Sequence, residues 1–302
     1  MKLGYKIGAV LAAGTLLVSG CGSNSLSGAP SGAAEDGSGA GGGKASADQA
    51  LFERLPDKIK KNKTIVVGSD ASYAPNEFLA GDGKTIQGAD VDLFNAVAAK
   101  LGVKTDFRNA NFDSIILGVN SGKYDMGVSS FTINPDRMEQ VNMVSYYEAG
   151  TQWVTTKGNP NKIDPDDACG ETVAVQRATI QDNIDLPTRQ KKCGGTKIKI
   201  LRFTGQDQAT AAVVSGRADA MLADSPIAQY AVQQADGKLE TLGDVYDAAP
   251  YGFVVPKKQT EFAQVIADAL QEIKADGSYQ QALEKWGIED GAISDFAVNP
   301  TS

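Results

Sequence analysis

Residues 121–137 read SGKYDMGVSSFTINPDR, and this stretch decides the fold. Ser121-Gly122 is a turn signal. Residues 124–128 then form a short apolar run of the kind found in buried strands. The run ends in three hydroxyls, Ser129, Ser130 and Thr132, followed by Arg137. In open α/β sheets, ligands sit beyond the carboxyl ends of the strands. Hydroxyls and one guanidinium at such an end suit a carboxylate, because arginine offers a planar fork for paired hydrogen bonds. Taken alone, Arg137 reads equally well as a solvated residue at a helix start.

A second stretch removes that ambiguity. SGRADAMLADS, residues 215–225, repeats the order Ser-Gly, basic residue, any residue, Asp, apolar run, polar residue. Aligning the two Ser-Gly pairs sets Ser130 against Asp224. Each copy follows an expected helix, over residues 113–120 and 206–214. The chain therefore reads as two similar α/β units, one ending in hydroxyls and an arginine, the other in a carboxylate. Facing each other, Arg137 and Asp224 match the two charges of a zwitterion. The alternative for Asp224 is a cap on the helix that opens at Ser225-Pro226.

VSSFTINPDR, followed by MEQVNMVSYYEAGTQWVTTKG, resembles the family 3 extracellular solute-binding proteins, the polar amino-acid receptors of bacterial ABC importers. The resemblance runs from about residue 62 to 287, with the motifs in the family's order. It implies an α/β, two-lobed, periplasmic-binding-protein-like fold of type II, with two hinge crossings and a ligand cleft between the lobes. It also implies a carboxylate site at Arg137, aided by Ser130, Thr132 and the turn at Thr179, and an ammonium site at Asp224 with Ser129 nearby. Tyr73 and Phe112 would flank the ligand side chain, and Asp70 would meet its distal end, which favours a basic or amide group. At two places the sequence departs from the family pattern. Asn76-Glu77-Phe78 stands where Phe-Glu is common, and Ala178-Thr179-Ile180 stands where Gly-Thr-Thr is usual.

Composition agrees with an exported globular protein. Of 302 residues, 42% are apolar and 22% charged, with a net charge of -8 that becomes more negative once a leader carrying Lys2 and Lys6 is removed. An acidic chain without a basic cluster argues against nucleic acid as a partner. Histidine is absent. That excludes Ser-His and Cys-His nucleophile pairs and every histidine metal site. No cofactor or metal is expected.

Residues 1–20 carry two lysines and then an apolar run too short for a good membrane span, the pattern of an export signal. The ending Val18-Ser19-Gly20-Cys21 resembles the bacterial lipoprotein box, which implies a lipid anchor at Cys21 on the outer face of the cell membrane. Residues 21–54 read as the lipidated terminus and a Gly/Ser/Ala tether spanning about 30 Å. The expected divisions are 55–149 for the first part of lobe 1, 150–250 for lobe 2 and 251–302 for the return to lobe 1. With Cys21 assigned to lipid, Cys169 and Cys193 remain as a pair in an oxidising compartment and are expected to form a disulfide. The partners expected are a small-molecule amino acid and a membrane permease, with the receptor itself a monomer. Two rivals stay open: an enzyme resembling the periplasmic cyclohexadienyl dehydratases, with Glu77 as its acid, and a sensor for a separate signalling partner.

Overall fold

The computed structural model describes residues 47–301. The leader, Cys21 and most of the expected tether lie outside the described residues. From the amino end, helices α1 (Gln49–Glu53) and α2 (Asp57–Asn62) lead into strand β1 (Thr64–Ser69). A small antiparallel sheet follows, of β2 (Ser72–Tyr73), β3 (Glu77–Leu79) and β4 (Ile86–Gln87). Then come α3 (Ala89–Lys100), β5 (Lys104–Asn109), α4 (Phe112–Asn120), β6 (Met126–Gly127), α5 (Pro135–Gln140) and the long strand β7 (Val141–Thr156). The chain continues through β8 (Thr172–Gln176), a π-helical turn (Gln181–Asp185) running into α6 (Leu186–Lys192), β9 (Lys199–Phe203), α7 (Gln206–Val214), β10 (Ala220–Asp224) and α8 (Ser225–Gln234). A second long strand, β11 (Leu239–Pro256), and helices α9 (Thr260–Ala275) and α10 (Ser278–Glu284) complete the regular structure.

The main sheet has the order β5-β1-β6-β11-β7-β10-β8-β9. Strands β7 and β11 lie antiparallel at its centre, and each is long enough to serve both halves of the sheet. Their pairing slips between Leu242 and Tyr246, between Tyr246 and Ala249, and between Tyr251 and Gly252. Such irregularities bend a strand and increase its twist. On one side β1 pairs in parallel with β5 and β6; on the other, β8 pairs in parallel with β9 and β10. Parallel pairing puts the carboxyl ends of β1 and β6, and of β8 and β10, along common edges, the edges where ligands bind in such sheets.

The repeat seen in the sequence is present in the hydrogen bonds. After α4, the N–H groups of Lys123 and Tyr124 both reach Gly118 O, and Asp125 N–H reaches Val66 O. After α7, the N–H groups of Arg217 and Ala218 both reach Ala212 O, and Asp219 N–H reaches Thr172 O. The two aspartates return the favour in kind: Asp125 Oδ2 accepts from Val66 N–H at 2.9 Å, and Asp219 Oδ2 from Thr172 N–H at 2.8 Å. Gly122 and Gly216 take the matching left-handed φ of 77° and 72° that the turn requires.

Separate apolar clusters support the two halves. The larger lies under α3, α9 and α10 and includes Phe94, Phe253, Phe262 and Tyr279. A smaller one collects Trp153, Val173, Val175, Leu186 and Cys193. Trp153 is fully buried in this second cluster. Cys169 and Cys193 are bonded to each other beside it.

Residues 47–54, placed in the tether by composition, belong to the fold. Asp48 caps α1 by accepting from Leu51 N–H at 2.8 Å, a cap that a free tether would not need. Leu51 of α1, Leu55 of the turn that follows and Ile59 of α2 then enter the larger core. Leu55 is 2% exposed. Replacing it with alanine should cost about 2–5 kcal/mol in equilibrium denaturation, because the cavity left behind adds to the lost burial. An unchanged midpoint would place α1 outside the cooperative unit.

Candidate functional site

Nine residues singled out in the sequence line one cavity: Asp70, Tyr73, Phe112, Ser129, Ser130, Thr132, Arg137, Thr179 and Asp224. They come from both sides of the central strands. Three further residues join them, Gln176, Ile180 and Gln181.

Arg137 is the third residue of α5, whose start is fixed by Asn134: its Oδ1 accepts from Arg137 N–H at 2.9 Å, and Pro135 fills the first helical position. The helix thereby aims the guanidinium back at the end of β6. Its two side-chain hydrogen bonds go to main-chain oxygens, Thr132 O at 2.7 Å and Ala178 O at 3.0 Å. It also stands over the rings of Phe112 and Phe131, 5.3 and 5.4 Å from their centres. Those two rings stack on each other at 4.5 Å. Burial pulls the Arg137 pKa down to about 10, against the opposing pull of Asp224 and Tyr73. It remains charged at neutral pH. Among the described residues, no carboxylate forms an ion pair with it.

Asp224 ends β10 and is 5% exposed. Its Oδ2 accepts from the hydroxyls of Tyr73 and Tyr251, each at 2.7 Å, and its Oδ1 from Gln181 Nε2 at 2.7 Å. Burial raises its pKa above the usual carboxylate range, while these three donors and the Arg137 charge pull it back. The expectation for Tyr73 was a ring flanking the ligand. The structure gives its hydroxyl a further task, since it joins the β2 side of the cavity to the β10 side.

Asp70 lies just past β1, and Gln176 ends β8, the corresponding strand of the other unit. The two meet: Gln176 Nε2 donates to Asp70 Oδ2 at 3.1 Å. Asp70 also accepts from Phe112 N–H at 2.8 Å, so it caps the start of α4, and from Ser72 Oγ at 2.6 Å. Burial raises the Asp70 pKa, and the nearby Asp207 raises it further against these hydrogen bonds.

The hydroxyls are more committed inside the protein than the sequence indicated. Ser129 Oγ accepts from Asp70 N–H at 2.9 Å and donates to Glu77 Oε1 at 3.0 Å. Ser130 Oγ accepts from Asn76 Nδ2 at 2.9 Å. Thr179 Oγ1 donates to Gln176 O at 2.9 Å. At Ala178, where the family pattern has glycine, the backbone keeps the left-handed φ of 64°. Its N–H is taken by Asp182 Oδ2 at 3.2 Å. Glu77, the acid weighed for an enzymatic reading, is fully buried, does not line the cavity and bonds to Ser129 behind it.

Sequence reasoning missed Gln176, Gln181, Tyr251 and Phe131. Gln176 carried a signal, because TVAVQ mirrors TIVVGSD and its last residue falls at the same strand end as Asp70. The other three reach the site through tertiary contacts that no local pattern announces. Among the described residues no cluster of histidine, cysteine or acidic side chains could hold a metal ion, and no helix is long and apolar enough to cross a membrane.

Comparison with known proteins agrees with this geometry. Residues 65–289 match the family described as bacterial extracellular solute-binding proteins, family 3. An arginine-binding protein of Corynebacterium glutamicum is 35% identical over 248 residues, 81% of each chain. An L-cystine-binding protein of Escherichia coli is 27% identical over 242 residues, covering 78% of this chain and 86% of its own. Among solved structures, an ancestral arginine-binding protein bound to arginine superposes with a TM-score of 0.70 at 34% identity, over 74% of this chain and 98% of that one. An ancestral amino-acid-binding protein, a precursor of cyclohexadienyl dehydratase, gives 0.69 at 34% identity, over 76% and 98%. With two half-sheets meeting at a charged cavity and a family match across most of its length, the chain belongs to family 3 of the bacterial extracellular solute-binding proteins.

Proposed function

We propose that this protein is the amino-acid-binding component of an ABC importer and that its ligand is a basic amino acid. The observation that carries the reading is the pairing of opposite charges across one cavity. Arg137 is buried with only main-chain oxygens and aromatic rings around it, and Asp224 ends the strand opposite. A ligand α-carboxylate supplies the acid that Arg137 lacks, and its α-ammonium answers Asp224. Such matching matters because a buried charge without a partner costs several kcal/mol.

The preference for a basic side chain rests on Asp70, which lines the cavity and whose negative potential is reinforced by the nearby Asp207. An acidic side chain would be repelled there. The relatives described as binding arginine favour the same reading. Glu77, the acid weighed for the dehydratase alternative, is not among the residues that line the cavity. The export signal and the Cys21 lipid anchor of the sequence reading would hold such a receptor at the outer face of the membrane. Closure of the two halves around the ligand would present the bound form to a permease.

A thermal-shift screen of the twenty amino acids, ornithine and citrulline tests the proposal. A basic amino acid at one hundred times its dissociation constant should add about 2.7 kcal/mol of stability. No shift with any of them, or shifts only with acidic or apolar amino acids, would overturn the reading. Arg137→Ala should then weaken binding of every responsive amino acid by about a hundredfold or more, while circular dichroism shows the fold retained. Unchanged affinity would remove the carboxylate role.

Acid should weaken binding as well. The ammonium needs Asp224 ionised, and the folded-state pKa of Asp224 is raised. Protonation on acidification therefore begins at a higher pH than for an exposed aspartate, and affinity falls with it. Titration calorimetry from pH 7 down to pH 4 reads this directly; a flat profile would contradict it.

A further inference from the structure

Behind the Ser129–Ser130 turn lies a second pair of acids. Glu77 on β3 and Asp90 on α3 are 0% and 2% exposed and converge on the Ser130 hydroxyl. Gly88 permits this approach. A Cβ there would stand 2.1 Å from Asn76 O, so only glycine lets α3 start hard against the β2–β3 segment. Glu77 Oε1 accepts from Ser129 Oγ at 3.0 Å. Asp90 Oδ2 accepts from Ser130 N–H at 3.0 Å and from Tyr146 Oη at 2.5 Å. Ser130 Oγ lies 3.3 Å from both acids. Ser130 itself has φ +49°, a conformation that residues other than glycine adopt rarely. The two acids thus grip both ends of a left-handed turn whose residues line the cavity.

We propose that Glu77 and Asp90 act as one proton-sharing pair that positions the Ser129–Ser130 turn for amino-acid binding. The inference rests on the amino-acid-binding reading and extends it to residues that do not touch the cavity. Two buried carboxyls that meet at one hydroxyl cannot both ionise cheaply, so the pair holds one proton. With the proton on Glu77, its O–H donates to Asp90, and its other oxygen remains free to accept from Ser129. The ionisable groups facing the pair are Asp70 past β1, Tyr73 on β2, and Tyr146 and Tyr147 on β7; none of these is a cation. Burial first, and then the Asp90 charge, push Glu77 well above the usual carboxylate range, and burial pushes Asp90 up to about 6. The sign follows. For a raised carboxyl the folded form holds the extra proton, so the contribution is present at low pH and is lost as pH rises through the folded value. The turn should therefore loosen on the alkaline side, opposite to the acid-side loss at Asp224.

The test compares wild type, Glu77→Gln and Glu77→Ala by calorimetric titration with L-arginine from pH 6 to pH 9.5, with circular dichroism on each variant. Glutamine has the donor and the acceptor of a protonated glutamate but no proton to lose. E77Q should bind within about threefold of wild type at pH 6, and E77A should be weaker by about tenfold or more at every pH. Above pH 7 wild type should lose affinity relative to E77Q, a comparison that cancels the titration of arginine itself. E77Q as weak as E77A, or parallel wild-type and E77Q profiles, would overturn the pair's role. If wild type binds no amino acid, the function proposed above fails. The pair is then read by thermal unfolding, where wild type should lose stability relative to E77Q between pH 7 and pH 9.5, and parallel curves would overturn it.

Discussion

The arrangement of this protein depends on a guanidinium buried without an acid beside it. Arg137 is 8% exposed, and its hydrogen bonds end on main-chain oxygens. Carbonyl dipoles and two ring faces reduce the cost of desolvation but do not neutralise the charge. Asp224 is the nearest answer in the cavity, yet it is held by two tyrosines and a glutamine rather than by the arginine. The two charges are thus kept apart by their own supporting networks. The two charges match those of the amino acid proposed as the ligand.

The fold explains how the separation is maintained. The charges sit in matching units: Arg137 follows the strand end of one, and Asp224 ends the corresponding strand of the other. Each unit repeats the same turn and the same aspartate-to-strand bond, so each strand end is fixed locally. The central strands β7 and β11 connect the units, and their pairing slips between Leu242 and Gly252. Polar contacts cross the divide, among them Tyr73 with Asp224, Asp70 with Gln176, Ser72 with Gln206, Arg137 with Ala178 and the half-exposed Asp113–Arg177 pair at 3.1 Å, beside a small apolar cluster of Tyr73, Ala223 and Ile227.

Much of this was legible because strand ends, turns and helix starts are local. The Ser-Gly turns, the hydroxyl run and the acid at position 224 stand out in a single reading, and their spacing announces the repeat. Other features depend on what folding brings together. Tyr251 reaches Asp224 only because β11 returns through the centre of the sheet. Glu77 and Asp90 meet because a glycine at 88 lets two backbones nearly touch. Phe131 stacks on Phe112 across elements that share no pattern. Helix α1 is hidden by the Gly/Ser/Ala composition before it, although Asp48 is its cap and Leu51 its buried residue.

The most direct test is a calorimetric titration of the purified protein with L-arginine and with its decarboxylated analogue, agmatine. The two share a side chain and an amine and differ in the carboxylate that Arg137 is held to receive. The account expects agmatine to bind at least about a hundredfold more weakly, since the guanidinium of Arg137 would be left buried without an acid. Equal affinities would contradict the account, because the buried arginine would then have no part in recognition.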